Sequence, residues 1–106
     1  MFANPLILSY REALFAYPIQ WSSLDTHEVI RLQLSNWIVK KIIEYLGEEE
    51  ESLTQFIVTK LTSHCSPHEL MEELNMVLDE DAEPFVMKLW RMLIYYSLKI
   101  QYTNTA

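Results

Sequence analysis

The chain has 106 residues, half of them hydrophobic, with one glycine, four prolines and one cysteine. That content fits a single domain with one core; three Trp, six Tyr and four Phe exclude a disordered chain, and the lone Cys65 excludes an internal disulfide. The net charge of −7 is uneven: residues 1–42 carry four bases and three acids, and residues 43–106 carry four bases and twelve acids. An acidic domain does not draw nucleic acid through its overall field, so any such contact needs a local basic patch, expected in the first 42 residues.

No uncharged apolar run approaches the roughly 18 residues of a membrane span. The start, Met1-Phe2-Ala3-Asn4-Pro5-Leu6-Ile7-Leu8, lacks the basic front of a signal peptide. Both features point to an intracellular soluble protein with no membrane partner. A single glycine leaves no Gly-rich phosphate or oxyanion loop.

Residues 1–13 read as an apolar extension. Phe2, Leu6, Ile7, Leu8 and Tyr10, followed by Leu14, Phe15 and Tyr17, are too apolar for a free tail. They pack on the domain, or residues 1–19 form an exchanged arm in a homodimer. Asp25 or Thr26 can cap a helix beginning near His27. The block Leu34 to Glu48 is the densest in the chain. On a helical wheel its apolar side chains, Trp37, Ile38, Val39, Ile42, Ile43, Tyr45 and Leu46 with Ile30 and Leu34, spread over roughly 240°. Such a helix is expected at the centre of the fold, with neighbours on several sides and only a narrow polar strip of Gln33, Asn36, Lys40 and Glu44, edged by Lys41. Ser35 either caps a new helix there or lies within one continuous, bent helix. Gly47 stops it.

Four consecutive glutamates, Glu48 to Glu51, form a charged connector. Ser52-Leu53-Thr54-Gln55 has the capping-box pattern, with Leu53, Phe56, Ile57 and Leu61 following at helical spacing. Ser66-Pro67-His68-Glu69 is a second such box, with proline at the first helical position. Leu70, Met71, Leu74, Val77 and Leu78 form the expected buried stripe after it. Asp81 can cap a last helix that buries Phe85, Leu89, Trp90, Leu93 and Tyr96 or Ser97. No strand alternation and no internal repeat is evident. The fold class is all-α, four principal helices preceded by a short N-terminal element.

Four ordered blocks carry a family resemblance: Leu14-Phe15-Ala16-Tyr17-Pro18-Ile19-Gln20-Trp21; Trp37-Ile38-Val39-Lys40-Lys41-Ile42-Ile43-Glu44-Tyr45-Leu46-Gly47 with its glutamates; Ser66-Pro67 with Met76-Val77-Leu78-Asp79-Glu80; and Lys88-Leu89-Trp90-Arg91-Met92-Leu93-Ile94-Tyr95. Over about residues 12–96 the chain resembles the PWI domain of pre-mRNA splicing proteins. The resemblance implies a small helical bundle spanning residues 14–100, with residues 101–106 as a tail. It further implies a nuclear role in splicing, with RNA or splicing proteins as partners. The family tripeptide Pro-Trp-Ile is Asn36-Trp37-Ile38 here, which restores a backbone donor and leaves the helix intact. The basic flank that strengthens nucleic-acid binding in the family has no counterpart, because residues 1–20 hold only Arg11 as a cation.

Lys40 and Lys41, joined by Arg31, are the expected nucleic-acid contacts, giving weak binding without sequence preference. The alternative is a protein-interaction module with no nucleic-acid role, using the apolar N-terminal segment or the acidic runs Glu48–Glu51 and Asp79–Asp81, which could meet an arginine-rich splicing segment. Trp37, Trp21 and Trp90 are read as core. His64, Cys65 and His68 are too few for a zinc site and have a helix start between them, so no metal is expected. Cys65 with His68 lacks a third orienting group, so neither catalysis, a cofactor nor a small-molecule substrate is expected.

Overall fold

A computed structural model describes residues 10–105. Phe2, Leu6, Ile7 and Leu8 of the apolar extension lie outside the described residues. Two short helices, α1 (Arg11–Ala16) and α2 (Trp21–Thr26), precede four longer ones: α3 (Ser35–Leu46), α4 (Glu51–Thr62), α5 (Pro67–Leu78) and α6 (Ala82–Thr105). A wide π-helical turn, Ile30–Leu34, leads into α3, and a 3-10 turn, Asp79–Asp81, leads into α6. The described residues contain no strand. The all-α bundle of four principal helices follows the expectation, with an N-terminal element of two short helices.

The core is aliphatic, with two large aromatics, Phe85 and Trp90, fully enclosed. Each fully buried Leu or Ile contributes about 1.5–3 kcal/mol of transfer free energy. Leu14 and Phe15 are buried within the same chain, where α1 packs on α6. Of the described part of the apolar N-terminal segment, Leu14 and Phe15 therefore cover their own bundle, Tyr17 is half-buried and Tyr10 is exposed. Arg11 fastens it by an ion pair to Glu83 at 2.6 Å.

Helix boundaries differ from expectation in three places, and at a fourth the structure decides between two alternatives. Asp25 and Thr26 do not cap a following helix; they end α2, and Glu28 then reverses the chain at φ 50°. Of the two alternatives for Ser35, the structure shows the continuous helix and not the cap. The Ser35 backbone is helical and its hydroxyl donates to the Arg31 carbonyl at 2.6 Å, so the chain runs through the π-turn into α3. Helix α4 starts one residue before Ser52: the Thr54 amide already donates to the Glu50 carbonyl at 3.1 Å, and Ser52 donates its hydroxyl to the Glu50 carboxylate instead. Asp81 ends the 3-10 turn rather than capping α6 from an extended backbone, so the turn itself carries the chain into the helix. Two signals held. Gly47 ends α3 at φ 85°, in the left-handed region. Ser66 caps α5, accepting a bond from the Glu69 amide at 3.1 Å, with Pro67 in the first turn.

Burial corrects the picture of an enclosed α3. Only the stripe Leu34, Ile38 and Ile42, continuous with Ile30, is buried; Trp37, Val39 and Tyr45 are half-buried, and Leu32, Ile43 and Leu46 are exposed. A wheel counts apolar angle but not the number of neighbours, and here α4 and the N-terminal end of α6 cover only part of the circumference. The α5 stripe narrows likewise to Leu70, Leu74 and Leu78, with Met71 half-buried and Val77 exposed; Phe56 of α4 is exposed too. On α6, Ser97 rather than Tyr96 is buried, its hydroxyl donating to the Leu93 carbonyl at 2.9 Å. The reason for the open places is the packing order: α4 lies mainly on α3 and α5 mainly on α6, which leaves the seam between α4 and α5 unfilled.

Candidate nucleic-acid interface

The three cations expected to act together are held differently. Arg31, on the π-turn, is exposed and bridged to Glu28, its Nε donating at 3.1 Å. Lys41 is largely covered, paired with Glu44 at 3.3 Å and lying 5.8 Å from the Trp37 ring centroid. Lys40 is exposed and joins no ion pair with a described residue. Adjacent positions on a helix diverge by about 100°. Lys40 and Lys41 thus leave α3 in different directions, one to solvent and one along the indole.

The tripeptide Asn36-Trp37-Ile38 divides the same way. Ile38 is fully buried, Asn36 is exposed, and Trp37 lies half-buried and parallel to Phe85 at 5.8 Å between centroids. Tyr45 meets Phe85 edge-on at 6.0 Å, so the two aromatics of α3 grip one ring of α6. Burial there raises the Tyr45 phenol above its ordinary pKa. Trp90 is buried as expected, while Trp21 is half-buried and stacks on His64 at 4.8 Å.

His64, Cys65 and His68 go to separate neighbours. His64 closes α4 in a Schellman-type turn at φ 61°, with the Cys65 amide donating to the Lys60 carbonyl at 3.2 Å. Its Nε2 meets Asp25 at 2.7 Å, tying the end of α4 to α2. His68 lies edge-on to Phe15 at 5.2 Å. Cys65 is half-buried, and burial pushes its thiol up to about 11.

A second cationic feature went unread in the sequence. Helix α6 holds Lys88, Arg91 and Lys99 against one acid, Glu83. Lys88, Tyr95 and Lys99 are all exposed, and their spacing places them within about 40° of one another on the wheel. The Lys99 ammonium sits 5.8 Å from the Tyr95 centroid, and Tyr95 packs edge-on against Tyr96 at 5.2 Å. Half-buried Arg91 flanks this stripe. The signal available in the sequence was the i, i+7, i+11 recurrence of Lys, Tyr and Lys. It was hidden by the acidic balance of residues 43–106 taken as one block.

Comparison with known proteins matches residues 32–100 to the PWI domain. The chain belongs to the PWI domain family. It is 50% identical to RNA-binding protein 25 of Homo sapiens over 82 residues, covering 77% of this chain and 10% of that protein. To RNA-binding motif protein 25 of Arabidopsis thaliana it is 44% identical over 91 residues, covering 86% of this chain and 10% of that protein. To the U1 snRNP-associated protein usp107 of Schizosaccharomyces pombe it is 39% identical over 82 residues, 77% of this chain and 12% of that protein. The chain thus spans about a tenth of the length of the curated relatives it matches. The matched region takes in Trp37, the seam between α4 and α5, and the exposed stripe of α6.

Proposed function

We propose that this PWI domain is a non-enzymatic module of a nuclear splicing factor. It contacts RNA weakly and without sequence preference, as part of an assembly with splicing proteins. The observation that carries the reading is the exposed stripe Lys88, Tyr95 and Lys99, to which Lys40 adds a separate cation. Cations spaced along a helix meet successive phosphates, and an exposed tyrosine offers a face on which an unpaired base stacks. Lys88 and Lys99 are about 16 Å apart along the helix axis, within the span of a few nucleotides of single strand. Arg31 and Lys41, bridged to Glu28 and Glu44, lie on other elements, apart from this stripe. The relatives' names, RNA-binding protein 25 and U1 snRNP-associated protein, agree with this class of partner.

The test is the anisotropy of a labelled single-stranded RNA oligonucleotide titrated with the domain at about 20 mM salt. Binding is expected with a log–log salt slope of about −2 to −3, and Lys88→Glu with Lys99→Glu weakens it about tenfold or more. Lys40→Glu gives a smaller loss. The alternative, a protein-interaction module alone, predicts no anisotropy change even at that salt.

A further inference from the structure

Across the unfilled seam between α4 and α5 runs an open groove of about 460 Å³. Its apolar lining is Leu46 from the end of α3, Leu53 and Phe56 from α4, and Leu74, Met76 and Val77 from α5. Four of these are among the most exposed large hydrophobics of the described surface: Met76 at 85%, Val77 at 46%, and Leu46 and Phe56 at 38% each. Isolated exposed apolar side chains are ordinary, but four converging on one groove are not.

The charge around the groove has one sign. Glu50 and Glu73 line it, and Glu48, Glu49, Glu72 and Glu80 are exposed beside these elements in sequence. The nearby cation Lys60 is already shared between Glu69 at 2.6 Å and Glu73 at 3.0 Å, and these bonds raise it to about 12. The other carboxylate oxygen of Glu73 is buried and accepts no hydrogen bond. A buried carboxylate oxygen without a donor is costly, and Lys60 alone, shared with Glu69, leaves the charge of this carboxylate incompletely offset.

We infer that this groove receives an amphipathic helix of a partner protein, apolar on one face and rich in Arg or Lys on its flanks. The apolar face fills the space between Leu46, Phe56, Met76 and Val77, and an arginine reaches Glu73. Charge complementarity selects this occupant. A second copy of the chain carries its cationic stripe on α6, whose apolar face is already buried in its own core, and residues 1–9 contain no basic side chain. The site is separate from the α6 stripe and holds whether or not the domain contacts RNA.

The test uses the full chain and a labelled helical peptide of about 16 residues, with leucines at i, i+3, i+4 and i+7 and arginines flanking them. Saturable binding is expected. It is lost when the leucines become serine or the arginines become glutamate. Met76→Lys with Val77→Lys weakens it at least about tenfold, whereas Gln33→Lys with Asn36→Lys, the same charge change at exposed positions of the π-turn and α3, weakens it less than about twofold. Circular dichroism confirms that both variants are folded. Glu73→Gln is expected to weaken binding about threefold through loss of the charged acceptor. Equal weakening by the two lysine pairs overturns the proposal, since only net charge would then matter. So does tightening of the peptide on deletion of residues 1–9, which would make the chain's own segment the occupant. Sedimentation showing a dimer that Met76→Lys dissolves, or displacement of the peptide by an RNA oligonucleotide, overturns it as well.

Discussion

Two regions of this small bundle carry opposite charge. From Glu48 to Asp81 ten carboxylates are set against the single lysine Lys60, whereas α6 from Ala82 to Thr105 has three cations against one carboxylate. The net −7 is an average over these two and describes neither. Local fields at a Debye length near 8 Å decide what a surface meets, so one domain of this size can present a cationic, aromatic stripe and an acid-rimmed apolar groove at once. The contrast also holds for packing. Helix α6 buries Phe85, Val86, Leu89, Trp90, Leu93 and Ile94 and exposes Lys88, Tyr95 and Lys99, while α4 and α5 leave apolar side chains open along their seam.

The packing contrast breaks most directly at Phe85. Phe85→Ala removes the ring gripped by Trp37 and Tyr45 and is expected to cost about 3–5 kcal/mol in urea denaturation. A loss below about 1 kcal/mol would mean that α6 is not the organising helix. Gly47→Ala is next. Nothing lies within 4 Å of a Cβ built there, so the cost is purely that of a left-handed backbone at φ 85°, about 1–2 kcal/mol in the same assay. Ser66→Ala removes the cap of α5 and costs about 1 kcal/mol. Met76→Ala, on the open seam, is expected to shift stability by less than about 0.5 kcal/mol, because an exposed side chain leaves little cavity behind. A large loss there would show that the groove is filled by the folded chain itself.

The smallest effect concerns Cys65, beside the same seam. Its thiol is raised from 9.0 to about 11, chiefly by burial. The folded state therefore holds the proton more tightly than the unfolded one, and the linked stability is fully present below pH 9 and is lost as pH rises through about 11. At pH 8 alkylation of the folded protein should be slower than that of a free thiol, with the rate rising toward pH 11. An alkylation midpoint near 9 would place the thiol in open water.

What the sequence made legible follows the physics of each element. Gly47 and Ser66-Pro67 were readable because a left-handed stop and a side-chain cap are local events, settled by one or two residues. The wide turn at Ile30–Leu34 was not, since a π-turn has no residue signature of its own. Apolar spacing found the inner face of α3 but overstated its burial, because periodicity cannot say whether a neighbour is there. The candidate cations show the same limit. The sequence groups Arg31 with Lys40 and Lys41 as joint contacts, but the setting of each depends on Glu28, Glu44 and Trp37, and the α6 stripe emerges only when charge is counted by helix.

The central claim is that RNA contact and the apolar groove are separate functions of two oppositely charged regions. It is tested most directly by a crossed titration, in which labelled RNA and the labelled basic peptide are each measured against two variants. Lys88→Glu with Lys99→Glu should weaken RNA about tenfold and leave the peptide unchanged, and Met76→Lys with Val77→Lys should do the reverse. If both variants moved both ligands alike, net charge alone would govern binding and the claim would be contradicted.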